Sequence, residues 1–193
     1  VVKNIYYSPD IDRSDYRDDW TYYHDAGDTG RPELMHLGAY FDPGMACPLP
    51  EDLSVLSRAQ LEESFQYPFG EYQRGYRIIK SHIFCNHIDF LKKTFPETPI
   101  VLVHRPDDAC LGWWVKCGHF DITYPDYHEY YQDLRHMAGI IKQQNKNLLD
   151  AWWKYTGKIV TDNLQLAAAL NIETPPQPYR QDYVVSDVRV KVI

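Results

Sequence analysis

Two short segments of this chain combine cationic side chains with histidine, a mixture suited to chemistry on a negatively charged group. Lys80, Ser81 and His82 are consecutive, and His104 and Arg105 begin 24 positions after Lys80. Lysine and arginine hold anionic oxygens, arginine through a bidentate fork, and imidazole accepts a proton near neutral pH. The two segments therefore predict an anion-binding site with a general base.

An apolar run with the length of a β-strand precedes each of these segments. Tyr76–Ile79 leads into Lys80, and Ile100–Val103 leads into His104. Between them, Ile88–Phe95 has apolar residues at helical spacing. The second run has four β-favouring apolar residues in succession, which predicts a strand covered on both faces. We therefore expect a βαβ unit whose parallel, neighbouring strands bring both polar segments to one edge of a sheet.

The rest of the chain predicts further elements of both kinds. Asp126–Lys154 carries apolar or aromatic residues three or four positions apart, with Asn145 as the one polar gap, and predicts one long helix. Ile159–Val160 predicts a short strand and Asn163–Leu170 a short helix. Together these elements predict a three-layer α/β/α fold with a mostly parallel sheet, formed by a single domain over residues 1–193.

The C-terminal segment, residues 175–193, predicts an extended tail that ends in a strand. Three prolines open it, and Val188–Val192 then alternates strictly. We expect an edge strand with Arg189 and Lys191 facing water. Such a strand offers a pairing surface to a second copy of the chain, which makes a homo-oligomer one expectation.

The composition fits one globular domain and excludes several functions. Of 193 residues, 20 are Lys or Arg and 27 are Asp or Glu, so the net charge is −7. We expect no nucleic-acid partner, because such proteins need a clustered basic face. No apolar run reaches the roughly 18 residues of a membrane span. The four cysteines form no C-x-x-C pair, which favours thiols in a reducing, cytoplasmic location.

The two polar segments resemble motifs of the sulfotransferases that use 3′-phosphoadenosine 5′-phosphosulfate (PAPS). Residues 76–82 are similar to that family's strand and Lys-Thr-His segment, and residues 101–108 to its later strand and Arg-Asn-Pro-Lys-Asp turn. The resemblance implies a fold of the P-loop type and transfer of a sulfuryl group to a hydroxyl or amine of a small molecule or carbohydrate. It implies His82 as the base and Lys80 as the group that neutralises charge on the sulfuryl oxygens.

The resemblance also implies how PAPS is held, without a metal ion. In this arrangement Arg105 contacts the 3′-phosphate, and His104 is the alternative residue for that contact. Ser81 and Gly112 are the other co-substrate residues. The family has arginine where this chain has His104, and serine where it has Gly112. No Gly-rich Lys-Ser/Thr loop occurs, so we expect the family's phosphate loop upstream of Val1.

Several alternatives are open at this point. A nucleotide-dependent kinase would use the same fold, and a non-catalytic relative would bind a glycan through Tyr- and Trp-rich surfaces, which the missing serine at position 112 favours. A zinc site at His82, Cys85 and His87 lacks the usual ligand spacing. The Asp-rich residues 10–30 do not fit the EF-hand pattern for calcium.

The motif residues also have ordinary structural interpretations. Lys80 resembles many solvated lysines at strand ends, and His82 many hydrogen-bonded surface histidines. Arg105 has Asp107 and Asp108 as nearby ion-pair partners, although exposed pairs contribute little to stability. The matched spacing of the two segments favours the functional interpretation.

Overall fold

Helices and short strands alternate in residues 39–40, 49–66, 79–116, 128–171 and 188–193, the part of the chain that the computed structural model describes. In chain order the elements are β1 (Ala39–Tyr40), α1 (Arg58–Gln66), β2 (Ile79–Lys80), α2 (Ile88–Thr94), β3 (Val101–His104), α3 (Asp107–Lys116), α4 (His128–Tyr131), α5 (Leu134–Lys154), β4 (Lys158–Val160), α6 (Asn163–Leu170) and β5 (Arg189–Val192). Short 3-10 helices at Leu53–Val55 and His82–Asn86 precede α1 and α2. The predicted mixture of helices and strands is confirmed.

The chain divides into two compact units. The first comprises residues 1–82 and 121–130, and the second comprises residues 83–120 and 131–193. Each unit is described by itself below.

The first unit contains a parallel pair of strands and a capped helix. β1 pairs with β2 in parallel, with Tyr40 opposite Lys80. α1 begins after Ser57, whose Oγ accepts a hydrogen bond from the Gln60 amide at 3.3 Å, as an N-cap serine does. Leu61 anchors this helix, because its side chain is completely buried.

The second unit is built on a three-stranded antiparallel sheet. β5 is the central strand and pairs with β3 on one side and β4 on the other. The predicted mostly parallel sheet is therefore wrong for this unit, and so is the predicted edge position of the C-terminal strand. β2 and β3, predicted to be parallel neighbours, pair with β1 and β5 respectively. Strand pairing joins residues that are distant in sequence, so the local alternation in residues 188–192 does not reveal the flanking partners.

One face of β3 is buried and the other is exposed. Leu102 and His104 are buried, whereas Val101 and Val103 are 36% and 53% exposed. The prediction that this strand is covered on both faces is wrong, and its burial has the one-sided pattern typical of antiparallel sheets. On the buried face Leu102 joins a hydrophobic core with Trp152 of α5.

The long helix predicted over Asp126–Lys154 is in fact two helices. α4 ends at Tyr131, and the next residue, Gln132, has a left-handed backbone conformation (φ 57°) that interrupts the helix. Asp133 then caps α5, because its carboxylate accepts a hydrogen bond from the His136 amide at 2.8 Å. The apolar spacing continues through this break, so periodicity alone does not locate it.

Lys191 of β5 is buried and caps the C-terminal end of α5. It is 8% exposed, and its Nζ donates to the carbonyl oxygens of Trp152 and Tyr155, both at 2.5 Å. Carbonyls at a helix end lack intrahelical partners, and a cation there is favoured by the helix dipole. The prediction that Lys191 faces water is wrong, whereas Arg189 is exposed as predicted.

Lys191→Met is expected to destabilise the protein. Methionine keeps most of the apolar stem but leaves the helix-end carbonyls without their donor, and we expect the free energy of unfolding in urea to fall by about 2 kcal/mol. Lys158→Met, an exposed position on the neighbouring strand β4, is the control and should change it by less than about 0.5 kcal/mol. Equal losses in the two variants would contradict a capping role for the Lys191 ammonium group.

Candidate functional site

Lys80, Ser81 and His82 lie where β2 passes into a 3-10 helix. Lys80 is the last residue of the strand, and His82 is the first residue of the helix that ends at Asn86. All three motif side chains are half-buried. None of the three residues is therefore fully buried.

His104 ends β3, and Arg105 lies in the short connection to α3. This connection consists of Arg105 and Pro106, and α3 begins at Asp107. The Arg105 side chain is half-buried. Amide groups in the first turn of a helix lack intrahelical acceptors and favour anions, and in α3 the Ala109 amide donates to the Asp108 carboxylate at 2.9 Å. Arg105 therefore lies beside a helix start that already carries two carboxylates, those of Asp107 and Asp108.

The imidazole of His104 lies on the buried face of β3. It is 6% exposed, and its Nδ1 has no hydrogen-bond partner within the described part of the chain. Burial lowers the pKa of His104, and the charge of Arg189 lowers it further, while Asp107 acts in the opposite direction. A neutral imidazole supplies no fixed positive charge, so Arg105 is the stronger candidate for a phosphate contact.

Helix α5 holds the connection between β3 and α3 through Asn145. The Asn145 Nδ2 donates to the carbonyl oxygen of Arg105 at 2.8 Å and to Oδ1 of Asp107 at 2.6 Å. The Cys110 thiol also donates to the Arg105 carbonyl, at 3.6 Å, and burial raises the pKa of this thiol. Sequence reasoning found Asn145 only as a gap in an apolar stripe, because the residues that it contacts are about 40 positions away.

Gly112 and Gly157 differ in whether the neighbouring atoms leave room for a side chain. A Cβ at Gly112, on the exposed side of α3, would meet no atom within 4 Å. A Cβ at Gly157 would lie 2.3 Å from the carbonyl oxygen of Val192, so a side chain there is excluded. Gly112 is therefore not required by packing, and its position accepts a larger residue.

The two polar segments belong to different units. Lys80, Ser81 and His82 are consecutive in the first unit, and His104, Arg105 and Gly112 share the β3–α3 region of the second. Each unit thus contains one complete motif.

A surface groove of about 510 Å³ runs along the first turns of α5. It is lined by Gln132, Arg135, His136 and neighbouring residues of the same helix. None of the six predicted site residues lines it, so this groove is not part of the candidate site.

The metal alternatives gain no support from the described residues. Residues 79–116, 128–171 and the shorter described ranges contain no group of three or more His, Cys, Asp or Glu side chains able to hold a metal ion, and this includes His82, Cys85 and His87. The Asp-rich residues 10–30 lie outside the described part of the chain. Cys85 and Cys110 are thiols without a disulfide, as predicted.

Several other sequence expectations concern residues that the structure does not describe. The expected proline-rich part of the tail, residues 175–178, lies outside the described ranges, as does most of the strand predicted at Tyr76–Ile79. Within the described ranges, no helix combines the length and apolar character needed to cross a membrane.

Aromatic side chains of the second unit belong mainly to its packing. Trp152 is buried, and the rings of Trp114 and Tyr131 lie 4.9 Å apart at 57°. Trp153 is the exception, with 79% exposure.

Comparisons with known proteins find no relative. Neither a scan against protein-family models, nor a search of curated proteins, nor a search of solved structures gives a match. The functional interpretation therefore depends on the residues and contacts of this chain.

Proposed function

We propose that this protein is a sulfotransferase that moves a sulfuryl group from PAPS to a hydroxyl or amine of a small molecule or carbohydrate. The observation that carries the proposal is that each polar segment begins with the last residue of a strand and leads towards a helix, in the order β2, α2, β3, α3. Ligands of α/β proteins gather at such strand ends and helix starts. The proposed relationship to P-loop folds is based on this order of strands and helices. The antiparallel sheet of the second unit does not support it.

The proposed reaction is an in-line displacement at sulfur. The acceptor oxygen or nitrogen attacks the sulfur atom while His82 takes its proton, and the bond from sulfur to the oxygen of the 5′-phosphate breaks. The products are the sulfated acceptor and 3′-phosphoadenosine 5′-phosphate (PAP). Lys80 donates to the sulfuryl and bridging oxygens as negative charge develops, a form of stabilisation that is commonly the largest catalytic contribution.

The co-substrate is proposed to be held through its phosphate groups. Arg105 binds the 3′-phosphate with its guanidinium fork, whose planar shape matches two phosphate oxygens. Ser81 offers a hydroxyl beside the two catalytic residues. Gly112 stands where the resembling family has its phosphate-binding serine. It offers no side-chain donor, and it lies beyond the first turn of α3, where helix amides already have intrahelical acceptors.

Gly112→Ser is expected to tighten PAP binding. Serine restores the hydroxyl that the resembling family has at this position, and a hydrogen bond to a charged group contributes enough to lower the Kd about tenfold. The side chain meets open space, so the helix accommodates it. Gly139→Ser, at an equally open glycine of α5, is the control and should leave the Kd unchanged in isothermal titration calorimetry. Equal Kd values for Gly112→Ser and the parent would show that position 112 does not face the phosphate.

A transfer assay with two donors tests the proposed function. The full-length protein is incubated with a panel of hydroxylated and amine acceptors, and with either PAPS labelled in its sulfate or ATP labelled in its γ-phosphate. Label transferred from PAPS supports the proposal. Label transferred from ATP alone assigns a kinase instead, and glycan binding without transfer from either donor assigns the non-catalytic alternative.

A further inference from the structure

Asn145 is the one polar residue in the apolar stripe of α5. The stripe places Ile141, Leu148 and Trp152 on the side of the helix that faces the interior, and Asn145 falls between them with a half-buried side chain. A half-buried amide is costly unless its hydrogen-bonding groups are satisfied. Burying an apolar residue here would cost less free energy. The hydrogen bonds of the Asn145 amide must therefore account for its place in the stripe.

Among the described residues, Asn145 contacts Arg105 in the connection to α3 and Asp107 and Cys110 in the first turn of α3. Both hydrogens of its Nδ2 are used, one on the Arg105 carbonyl at 2.8 Å and one on Oδ1 of Asp107 at 2.6 Å. The Arg105 carbonyl also accepts from the Cys110 thiol. One side chain of α5 thus fixes the peptide plane after Arg105 and the carboxylate that opens α3.

We propose that Asn145 is a positioning residue, which keeps Arg105 and the start of α3 arranged for a phosphate group. The proposal rests on the proposed function, in which Arg105 holds the 3′-phosphate of PAPS. Its physical basis is competition, because Asp107 is two residues from Arg105 and carries the same sign of charge as the ligand. Asn145 donates to Oδ1 of this carboxylate and so gives it a neutral partner that competes with the guanidinium.

A purely structural role for Asn145 makes a different prediction. If the amide only stabilised the junction of α5 and α3, its loss would weaken folding and ligand binding regardless of whether Arg105 is present. If it positions Arg105, its effect on binding must depend on Arg105. A double-mutant cycle separates the two cases.

The experiment measures the Kd for PAP by calorimetry in the full-length parent, Asn145→Ala, Arg105→Ala and the double variant. We expect Asn145→Ala to raise the Kd about tenfold in the parent and less than about twofold in the Arg105→Ala background. Lys146→Ala is the control, since this exposed neighbour pairs with Asp150 of the same helix, and it should leave the Kd unchanged. Equal effects of Asn145→Ala in both backgrounds would overturn the proposal.

A ligand-free measurement keeps this proposal separate from the proposed function. Amide hydrogen exchange reports on Cys110, whose N–H donates to the Pro106 carbonyl at 2.9 Å across the start of α3. Asn145→Ala should speed this exchange about tenfold, while exchange in β3 stays constant. If the parent binds no PAP, the proposed function fails by itself. If exchange at Cys110 is unchanged, the positioning role of Asn145 is overturned whether or not PAP binds.

A second pair of variants exchanges the donor and acceptor groups of the contact between Asn145 and Asp107. Asn145→Asp removes both donors and adds a repulsive carboxylate opposite Asp107, so it should raise the Kd at least as much as Asn145→Ala. Adding Asp107→Asn restores a donor and an acceptor across the 2.6 Å contact and should recover part of the affinity. No recovery in this pair would contradict the assigned contact.

Discussion

In the His82→Ala protein, we expect kcat for sulfuryl transfer to fall about a thousandfold, within the range typical for loss of a general base. The Kd for PAP should stay within about twofold of the parent value, because the proposed role of His82 concerns the acceptor proton rather than the phosphates. His82 is half-buried in the 3-10 helix that follows β2. Initial rates with labelled PAPS and calorimetry with PAP measure the two quantities.

The design of this test includes two further variants. His82→Gln keeps a polar side chain of similar length but no base, so its kcat should match that of His82→Ala. His136→Ala removes an exposed imidazole from the first turn of α5 and should leave kcat unchanged. A His82→Ala enzyme with at least about one third of the parental kcat would exclude His82 as the base.

Lys80→Ala is expected to lower kcat by about two to three orders of magnitude, the usual cost of removing one donor that stabilises developing charge. The KM for PAPS should rise much less, because the proposed contact strengthens as the sulfuryl group moves between donor and acceptor. Lys80 is suited to this role by its place as the last residue of β2, two positions before His82. Steady-state rates over a range of PAPS concentrations separate the two parameters.

Charge and position are tested separately for Lys80. Lys80→Arg keeps a cation with a different shape, so it should retain more of the activity than Lys80→Ala. Lys93→Ala removes an exposed lysine from the last turn of α2 and serves as the control with unchanged kcat. A Lys80→Ala variant that raises KM while keeping kcat would assign Lys80 to ground-state binding and contradict the proposed stabilisation of the moving group.

Elements set by local interactions were predictable from the sequence. The helix predicted over Ile88–Phe95 is α2, Ile88–Thr94, and the helix predicted over Asn163–Leu170 has those bounds in the structure. Side-chain periodicity and capping residues act within a few positions, so one segment contains the whole signal. The strand predicted at Ile100–Val103 lies one position later in the structure, at Val101–His104.

Features that depend on distant partners were not predictable in the same way. Lys191 looks like a solvent-facing residue of an alternating strand, yet its ammonium group reaches the carbonyls of Trp152 and Tyr155. The strand that carries it is central because β3 and β4 both pair with it. Neither fact is encoded in the alternation of residues 188–192, which is equally compatible with an edge strand.

In the candidate site, some features also follow from residues that are adjacent in sequence, and others depend on residues that are far apart in sequence. The residue types at Lys80, His82 and Arg105, and their places at strand ends, follow from local sequence. The burial of His104 and the contacts of Asn145 depend on packing between β3, α3 and α5. A polar residue that interrupts an apolar stripe is the one signal in the sequence that pointed to Asn145.

Binding of PAP at Arg105 is tested by titrating PAP into the full-length protein. We expect a one-to-one isotherm with a micromolar Kd, weakened at least about thirtyfold by Arg105→Ala, the usual cost of removing one partner of a charged contact. ATP in place of PAP should bind much more weakly, because it has no 3′-phosphate for Arg105 to hold. Absence of heat and of any thermal shift with PAP, or an Arg105→Ala protein that binds PAP as tightly as the parent, would contradict the account.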